Sequence, residues 1–342
     1  MKRYRFPLII ALLFVLWLFF GRDLITRVLN PTDETIAING VPDGLSGRLL
    51  YTQGRGGIWQ IDLASGESAV WWQLPGVGYV SGITPSPDAT SFVVAYEPQM
   101  PDNSPTSSTD LYLLDANTLQ ATPIIERTTI TEVYDHPLWS GDGAWLYYAH
   151  YALQLNAEGA VQGSTQTLER LPADNFESTP EIVLNDALEF WLTEDMVKAT
   201  YVYFDPQSFL YSLWIADIDG ADAVELVADN IFQGLGSPRI SPDGRAIYFG
   251  ASGAPIAQTA SDLPGAQAHG APWDIWKIDL ADGAYSRVTN LGIDGPALAW
   301  SPEGRYLAFV ALEGVYMLDM ATNDLYRLAD STAEGEILWL DN

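Results

Sequence analysis

Few residues in this chain of 342 residues are of the types that carry catalytic chemistry. Histidine occurs only as His136, His150 and His269, which lie far apart in the sequence, and cysteine is absent. Without cysteine, disulfides, thiolate catalysis and cysteine-ligated zinc are excluded. The G-x-S-x-G, Walker A, G-x-G-x-x-G and H-E-x-x-H motifs of common enzyme classes are also missing. We therefore predict no catalytic residues and no cofactor.

One acidic segment, Asp217-Ile218-Asp219-Gly220, looks like part of a calcium-binding loop. It lacks the twelve-residue ligand spacing that such a loop needs. The Asp-Gly pair is also a common signal for a hairpin turn. Asp217 and Asp219 are weak candidates for metal ligands, and a structural turn is the favoured interpretation. We predict no metal site.

The stronger signal in the sequence is a repeat. The segment ISPDGRAIYFG at 240–250 returns as WSPEGRYLAFV at 300–310, and four weaker copies occur elsewhere. The residues after the apolar anchor of each copy are Ser86, Ser140, Leu192, Ser241, Ser301 and Leu340. Their spacing of about fifty residues is typical of solenoids, propellers and arrays.

Each repeat unit combines two hairpins. In Ser241-Pro242-Asp243-Gly244, proline presets φ for a turn and glycine accepts positive φ, and an apolar strand follows. A second phrase, such as DIWKIDLADGA at 274–284, predicts a strand that runs into an Asp-led turn. Four antiparallel strands per unit make one blade, so six units predict an all-β, six-bladed β-propeller.

The two ends of the chain favour a closed ring over an open array. The segment from Gly47 onward matches the second strand of a blade but has no first strand before it. The segment 336–339 matches a first strand, and the chain then stops. We therefore predict that the C-terminal strand completes the first blade and that residues near 47 and 342 meet.

These repeats resemble the TolB-type (WD40-like) propeller repeat, which also occurs in the propeller domains of prolyl oligopeptidase and dipeptidyl peptidase relatives. The resemblance covers about residues 47–342 and implies the fold, not a function, because one scaffold hosts many activities. The fourth unit departs from it, since residues 191–195 read WLTED where the other units carry a turn with proline or glycine.

Residues at the start of the first strand of each blade would line the central channel. The candidates for a ligand-binding site at its mouth are Asp135, His136, Arg239 and Glu336. In the fourth unit, the same alignment places Leu188 and Phe190 in the channel. This set is not a metal cage, which needs three or four convergent ligands. Hydrogen-bonded wall residues without a binding role are the alternative interpretation.

Two insertions indicate a binding face. The segments 97–109 and 251–271, rich in Pro, Ser, Gly and Ala, both lie between the second and third strands of their blades. They should therefore emerge on the same face of the ring. We predict that a protein or cell-envelope ligand binds there, although surface loops also tolerate length without a function.

The N-terminus predicts a membrane anchor. Lys2, Arg3 and Arg5 precede an apolar run that extends to Phe20. No small-x-small cleavage site follows, so an uncleaved anchor is favoured over a cleaved signal peptide. The predicted domains are a cytoplasmic region (1–5), an anchor helix (6–29), a linker (30–46) and the propeller (47–342). We expect a single-pass protein of a bacterial cytoplasmic membrane, with its propeller on the extracytoplasmic side.

The net charge of −28 makes nucleic acid an unsuitable partner. Together these features predict a non-catalytic, membrane-tethered propeller that binds a protein or ligand, or serves as an accessory subunit of a membrane complex. The alternative is a propeller-type hydrolase or lyase that acts on a cell-envelope saccharide or peptide. It would need two close carboxylates, and no repeated acid pair occurs at the channel positions.

Overall fold

The computed structural model describes residues 37–73, 78–98, 108–193, 195–205, 207–253, 272–330 and 335–341. Within these residues the chain forms six sheets, each built on four antiparallel strands, which are the six predicted blades. The predicted anchor, 6–29, lies outside the described residues. No helix in the described part has the length and apolar character that a membrane crossing requires.

The strands follow in chain order. Blade 1 contains β2 (Arg48–Thr52), β3 (Ile58–Asp62) and β4 (Ser68–Trp72), after a short β1 (Ile38–Asn39). Blade 2 contains β5 (Tyr79–Pro85), β6 (Ser91–Glu97), β7 (Asp110–Asp115) and β8 (Ala121–Ile125). Blade 3 contains β9 (Glu132–Trp139), β10 (Trp145–Leu155), β11 (Val161–Pro172) and β12 (Glu181–Asn185).

Blade 4 contains β13 (Glu189–Leu192), β14 (Lys198–Asp205), β15 (Leu210–Asp217) and β16 (Val224–Val227). Blade 5 contains β17 (Gly234–Ile240), β18 (Ala246–Ser252), β19 (Trp273–Asp279) and β20 (Tyr285–Arg287). Blade 6 contains β21 (Ala297–Trp300), β22 (Tyr306–Ala311), β23 (Gly314–Asp319) and β24 (Leu325–Ala329). The last strand is β25 (Ile337–Leu340).

The ring closes through both ends of the chain. As predicted, β25 pairs antiparallel with β2 and becomes the innermost strand of blade 1, with Leu340 opposite Arg48. Unexpectedly, β1 pairs parallel with β24 and adds a fifth strand to the outer edge of blade 6. Part of the segment expected as a linker thus covers a sheet edge that would otherwise expose unpaired backbone groups.

The core is divided among the contacts between neighbouring blades. Six clusters of buried side chains each join two adjacent blades. Between blades 4 and 5, for example, Val202 and Leu213 pack with Phe249 and Trp276. Aromatic rings pack against each other in these interfaces, as with Phe232 and Trp276, whose centroids lie 5.1 Å apart. This packing holds the innermost strands around a central channel.

Candidate functional site

Two bulged strands aim polar side chains into the channel. In β9, His136 and Pro137 together oppose one residue of β10, because Asp135 pairs with Ala149 and Leu138 pairs with Tyr147. In β17 the residues Ser237 and Pro238 form the same bulge against β18. His136 and Ser237 adopt φ values of 49° and 50°, which non-glycine residues rarely take. Such bulges re-aim side chains and often occur at functional sites.

An ion cluster crosses the channel. Arg239 Nη2 donates to Glu336 Oε1, and His136 Nδ1 lies 3.8 Å from Glu336 Oε2. Arg239 also donates from Nη1 to the carbonyl of Pro238 at 3.0 Å, and its guanidinium lies 4.1 Å from the ring centroid of Trp191. The Arg239 side chain is 4% exposed, and these contacts replace most of its solvation. The structure thus brings three of the four predicted site residues into one cluster.

The fourth predicted residue, Asp135, supports the cluster from below. Its Oδ2 accepts a hydrogen bond from Ser81 Oγ at 2.7 Å, and its Oδ1 accepts one from the backbone N–H of His136 at 2.7 Å. The series of hydrogen bonds continues through Thr52 Oγ1, which donates to the Ser81 carbonyl and accepts from the N–H of Glu336. Asp135 is therefore a positioning residue that holds the His136 bulge.

Glu189 belongs to the cluster but was missed by the sequence alignment. Its Oε2 accepts a hydrogen bond of 2.5 Å from the N–H of Ser237, and Ser237 Oγ accepts from the N–H of Leu298. These bonds link blades 4, 5 and 6. The hydrogen bonds of Thr52, Ser81 and Asp135 link blades 1, 2 and 3 in the same way. Polar contacts around the channel therefore involve all six blades.

Glu189 was missed because the fourth repeat had been aligned one residue out of register. The N–H of Thr193, not that of Leu192, donates to the carbonyl of Lys198. The serine that starts the turn makes the equivalent backbone hydrogen bond in the other blades that carry the motif. A shift of one residue exchanges the two faces of a strand. Trp191 and Glu189 therefore take the channel positions that the alignment had assigned to Phe190 and Leu188. The pattern Thr193-x-Asp195, which matches Ser-x-Asp in blades 2, 3 and 5, was the signal that could have corrected it.

Charges in the cluster stabilise one another. Burial alone would lower the pKa of His136, but the negative charges of Asp135, Glu336 and Glu189 outweigh it and raise the pKa to about 9. Burial favours the neutral form of Glu336, yet Arg239 and His136 hold the pKa of this carboxyl below its usual value. At neutral pH, the imidazole is therefore a cation and Glu336 is an anion.

A cavity of about 1000 Å³ lies above this cluster. Its wall residues are mainly apolar and include Leu138, Trp139, Trp191, Trp300, Leu338 and Trp339. The lining residues also include Pro87, Gly141, Pro242 and Pro302, which belong to the turns between the first and second strands of four blades. The cavity therefore opens at the turn end of the channel, with His136, Arg239 and Glu336 as its floor.

The predicted binding face is the other end of the ring. The insertion of blade 2 leaves β6 at Glu97 and enters β7 at Asp110, and that of blade 5 joins Ser252 to Trp273. Both therefore emerge between second and third strands, as predicted, and away from the cavity opening. Most of their residues (99–107 and 254–271) lie outside the described residues.

The weak metal candidates are engaged in other contacts. Asp217 Oδ1 accepts a hydrogen bond from Lys198 Nζ at 2.7 Å, and Asp219 Oδ1 accepts one from the N–H of Ala221 at 3.0 Å. The first is an ion pair across neighbouring strands, and the second is a bond of an ordinary hairpin turn. Across the described ranges, no group of three or more His, Asp or Glu side chains is arranged to hold a metal ion.

Comparison with known proteins identifies the fold. No protein-family model matches the chain, and neither does any curated protein. Among solved structures, TolB from Acinetobacter baumannii superimposes with a TM-score of 0.60 and 15% identity over 94% of this chain and 71% of that one. A chain of the nidogen/laminin complex superimposes with a TM-score of 0.59 and 12% identity over 86% of this chain and 98% of that one.

An enzyme is among the similar structures as well. The oligogalacturonate lyase from Vibrio parahaemolyticus gives a TM-score of 0.50 and 13% identity over 83% of this chain and 79% of that one. Identities this low indicate a shared fold and do not transfer a function. In fold, the chain is a TolB-like six-bladed β-propeller.

Proposed function

We propose that this propeller is a non-catalytic binding module that receives an apolar segment of a partner protein in the cavity at the turn end. The observation that carries the proposal is the cavity itself, which is open and mainly apolar and has four tryptophans among its lining residues. Large exposed apolar concavities are typical of binding sites, and tryptophan is enriched where proteins bind one another.

The state of the ionisable groups favours binding over catalysis. A general acid or base is most effective when its pKa lies near the working pH, so that it can both give up and regain a proton. In the cluster, His136 is held as a cation, and the lowered pKa of Glu336 holds that group as an anion. Arg239 already bonds Glu336, which leaves this carboxylate poorly placed to exchange a proton with a substrate.

A second candidate function is a hydrolase or lyase that acts on a cell-envelope saccharide or peptide. Two carboxylates, Glu189 and Glu336, approach the cavity floor, and a lyase is among the proteins of similar fold. Turnover of such a substrate by the purified chain, abolished in both Glu189→Gln and Glu336→Gln, would favour this function. The absence of turnover under conditions where a partner binds would favour the binding module.

The location of the module is part of the proposal. The basic N-terminus and the apolar run to Phe20 support a tether in a bacterial cytoplasmic membrane, with the propeller outside. An accessory role in a membrane complex is compatible with that tether. Fractionation with alkaline extraction tests the tether, because an anchored chain stays with the membranes and a released one does not.

A photo-crosslinking residue placed in the cavity tests the binding function. We expect Leu138, on the cavity wall, to yield an adduct with a defined partner protein in cells. The matched control is Leu155, which is 45% exposed on the β10–β11 hairpin at the opposite end. Filling the cavity with Leu338→Trp should abolish the adduct at Leu138. An equal adduct at Leu155, or one that persists in the filled variant, would contradict binding in the cavity.

A further inference from the structure

In five blades the turn between the first and second strands carries an acidic side chain, at the end of the ring where the cavity opens. In four blades a hydroxyl group at the start of the turn donates to the Asp two residues later, at 2.6 to 2.7 Å. The pairs are Ser86 with Asp88, Ser140 with Asp142, Thr193 with Asp195, and Ser241 with Asp243. A backbone N–H also donates to each of these carboxylates. The turn geometry therefore fixes where the charges lie.

These carboxylates are exposed and ionised. All four Asp residues lie on the protein surface, and their hydrogen bonds with the turn hydroxyl and backbone lower the pKa of each. Glu303 occupies the same turn position in blade 6, and Asp341 lines the cavity in blade 1. We call Asp88, Asp142, Asp195, Asp243, Glu303 and Asp341 the acidic rim.

Cations at this end offset the charge of the rim only in part. Lys198 and Arg305 form ion pairs with Asp217 and Asp319 of the outer turns, and their charges also act on Asp195 and Glu303 of the rim. Arg48 lines the cavity and Arg245 follows the blade 5 turn, so they offset part of the charge. The mouth of an apolar cavity is thus surrounded by an excess of fixed negative charge. Charges so arranged attract a partner of opposite sign and repel acidic ones.

We propose that the segment received by the cavity is amphipathic and basic, with apolar residues that enter the cavity and lysine or arginine residues that flank them and face the acidic rim. This inference rests on the proposed function, because it specifies the partner of the same site. Apolar burial would supply most of the affinity, and the rim would select for charge.

Three synthetic peptides test the charge selection. They share one apolar core of Leu and Phe and carry Lys, Gln or Glu on both sides. With the full chain in detergent at low salt, we expect the Lys peptide to bind about tenfold more tightly than the Gln peptide, and the Glu peptide to bind most weakly. Raising the salt to 0.5 M should reduce the difference, since exposed charges are screened.

A charge-neutral rim provides the matched variant. Asn retains the acceptor oxygen of Asp, so the quadruple variant D88N/D142N/D195N/D243N should keep the turns and lose the preference for Lys over Gln flanks. The control removes four exposed acids from the insertion end, through E126Q, E158Q, D229N and D330N, and should keep that preference. Circular dichroism checks that both variants are folded.

The outcomes separate the two proposals. Equal binding of the three peptides, or a Lys preference that survives in the rim variant, would overturn the basic partner and leave the binding module intact. If no peptide binds, or if binding is unaffected by Leu338→Trp in the cavity, the binding function fails and the charge selection fails with it. A Lys preference lost only in the rim variant supports both.

Discussion

Blades 4 and 5 form the same inner hairpin from different sequences. Blade 5 has Ser241-Pro242-Asp243-Gly244, whereas blade 4 has Thr193 and Asp195 but neither the proline nor the glycine. Even so, corresponding hydrogen bonds close both turns. The hydroxyl donates to the Asp at 2.6 Å in each, and the fourth turn residue donates to the carbonyl of the first at 2.8 Å in each.

The difference lies in backbone strain. Gly244 adopts a φ of 69°, which costs glycine little, whereas Met196 adopts 57° at the same position. The hydroxyl and carboxylate therefore define the turn, and proline and glycine only make it easier to form. The two blades also meet in the channel, where Trp191 of blade 4 stacks on Arg239 of blade 5.

The largest expected effect on stability comes from removing Arg239, which contacts Trp191 of blade 4 in the channel. Arg239→Met removes the stacked guanidinium and leaves the Glu336 carboxylate without its main partner, which should lower the free energy of unfolding by about 3 to 5 kcal/mol. Urea unfolding followed by tryptophan fluorescence measures it. Arg245→Met, an exposed change in the same blade, should cost little. In the double variant with Glu336→Gln, the cost should be smaller than in Arg239→Met alone.

The protonation of His136 provides the second test. Because its pKa is raised to about 9 from an ordinary 6.5, the stabilising contribution is complete below about pH 6.5 and is lost as the pH rises through about 9. Stability should fall by about 2 kcal/mol across this window. His136→Gln should remove that dependence.

Glu189 of blade 4 contributes to the raised pKa of His136 in blade 3. Glu189→Gln removes one of the charges that raise the pKa of His136, so the NMR titration of the imidazole should move to lower pH. An unchanged titration would show that blade 4 does not contribute to the charge cluster.

The turn hydroxyls should have similar effects in both blades. Thr193→Val and Ser241→Ala each remove a hydroxyl that donates to the Asp and accepts from a backbone N–H, at 3.0 Å in both cases. We expect each change to cost about 1 to 2 kcal/mol of unfolding free energy, measured in urea. Thr193→Ser should be close to neutral. A large loss in blade 4 and none in blade 5 would show that proline and glycine, not the hydroxyl, define the turn.

The smallest effects concern positive φ, and their sign matters more than their size. Gly244→Ala meets no atom within 4 Å, so its cost of about 1 kcal/mol should come from the backbone alone. Ala89 is exposed with a φ of 54° at the same position of blade 2, so Ala89→Gly should stabilise by about 0.5 kcal/mol. Thermal unfolding midpoints test both, and changes of the same sign would contradict the strain argument.

Much of the architecture could be read from local sequence patterns. The turns of blades 2, 3, 5 and 6 lie where their serines predicted, and the split first blade closes as expected. The register of blade 4 was wrong because its proline and glycine are replaced, which removed the strongest turn signals. The strand β1 was not predicted, since two residues carry no periodicity and its pairing with β24 is entirely non-local.

The site was only partly visible in the sequence. His136, Arg239 and Glu336 were placed in the channel by their register, but Glu189 was not, and the end at which the cavity opens could not be deduced. Arg239 and Glu336 lie 97 residues apart in the chain, and Thr52 and Glu336 lie 284 apart. Their contacts depend on the curvature of the closed ring.

By itself, the sequence determined the blades, their turns and the closure of the ring, because each of these follows from short patterns of apolar, turn-forming and hydroxyl-bearing residues. Only the tertiary structure decided which side chains meet in the channel and on which side the apolar cavity opens. Those features arise from strands brought together across six blades, where packing between distant segments, and not local preference, sets the geometry.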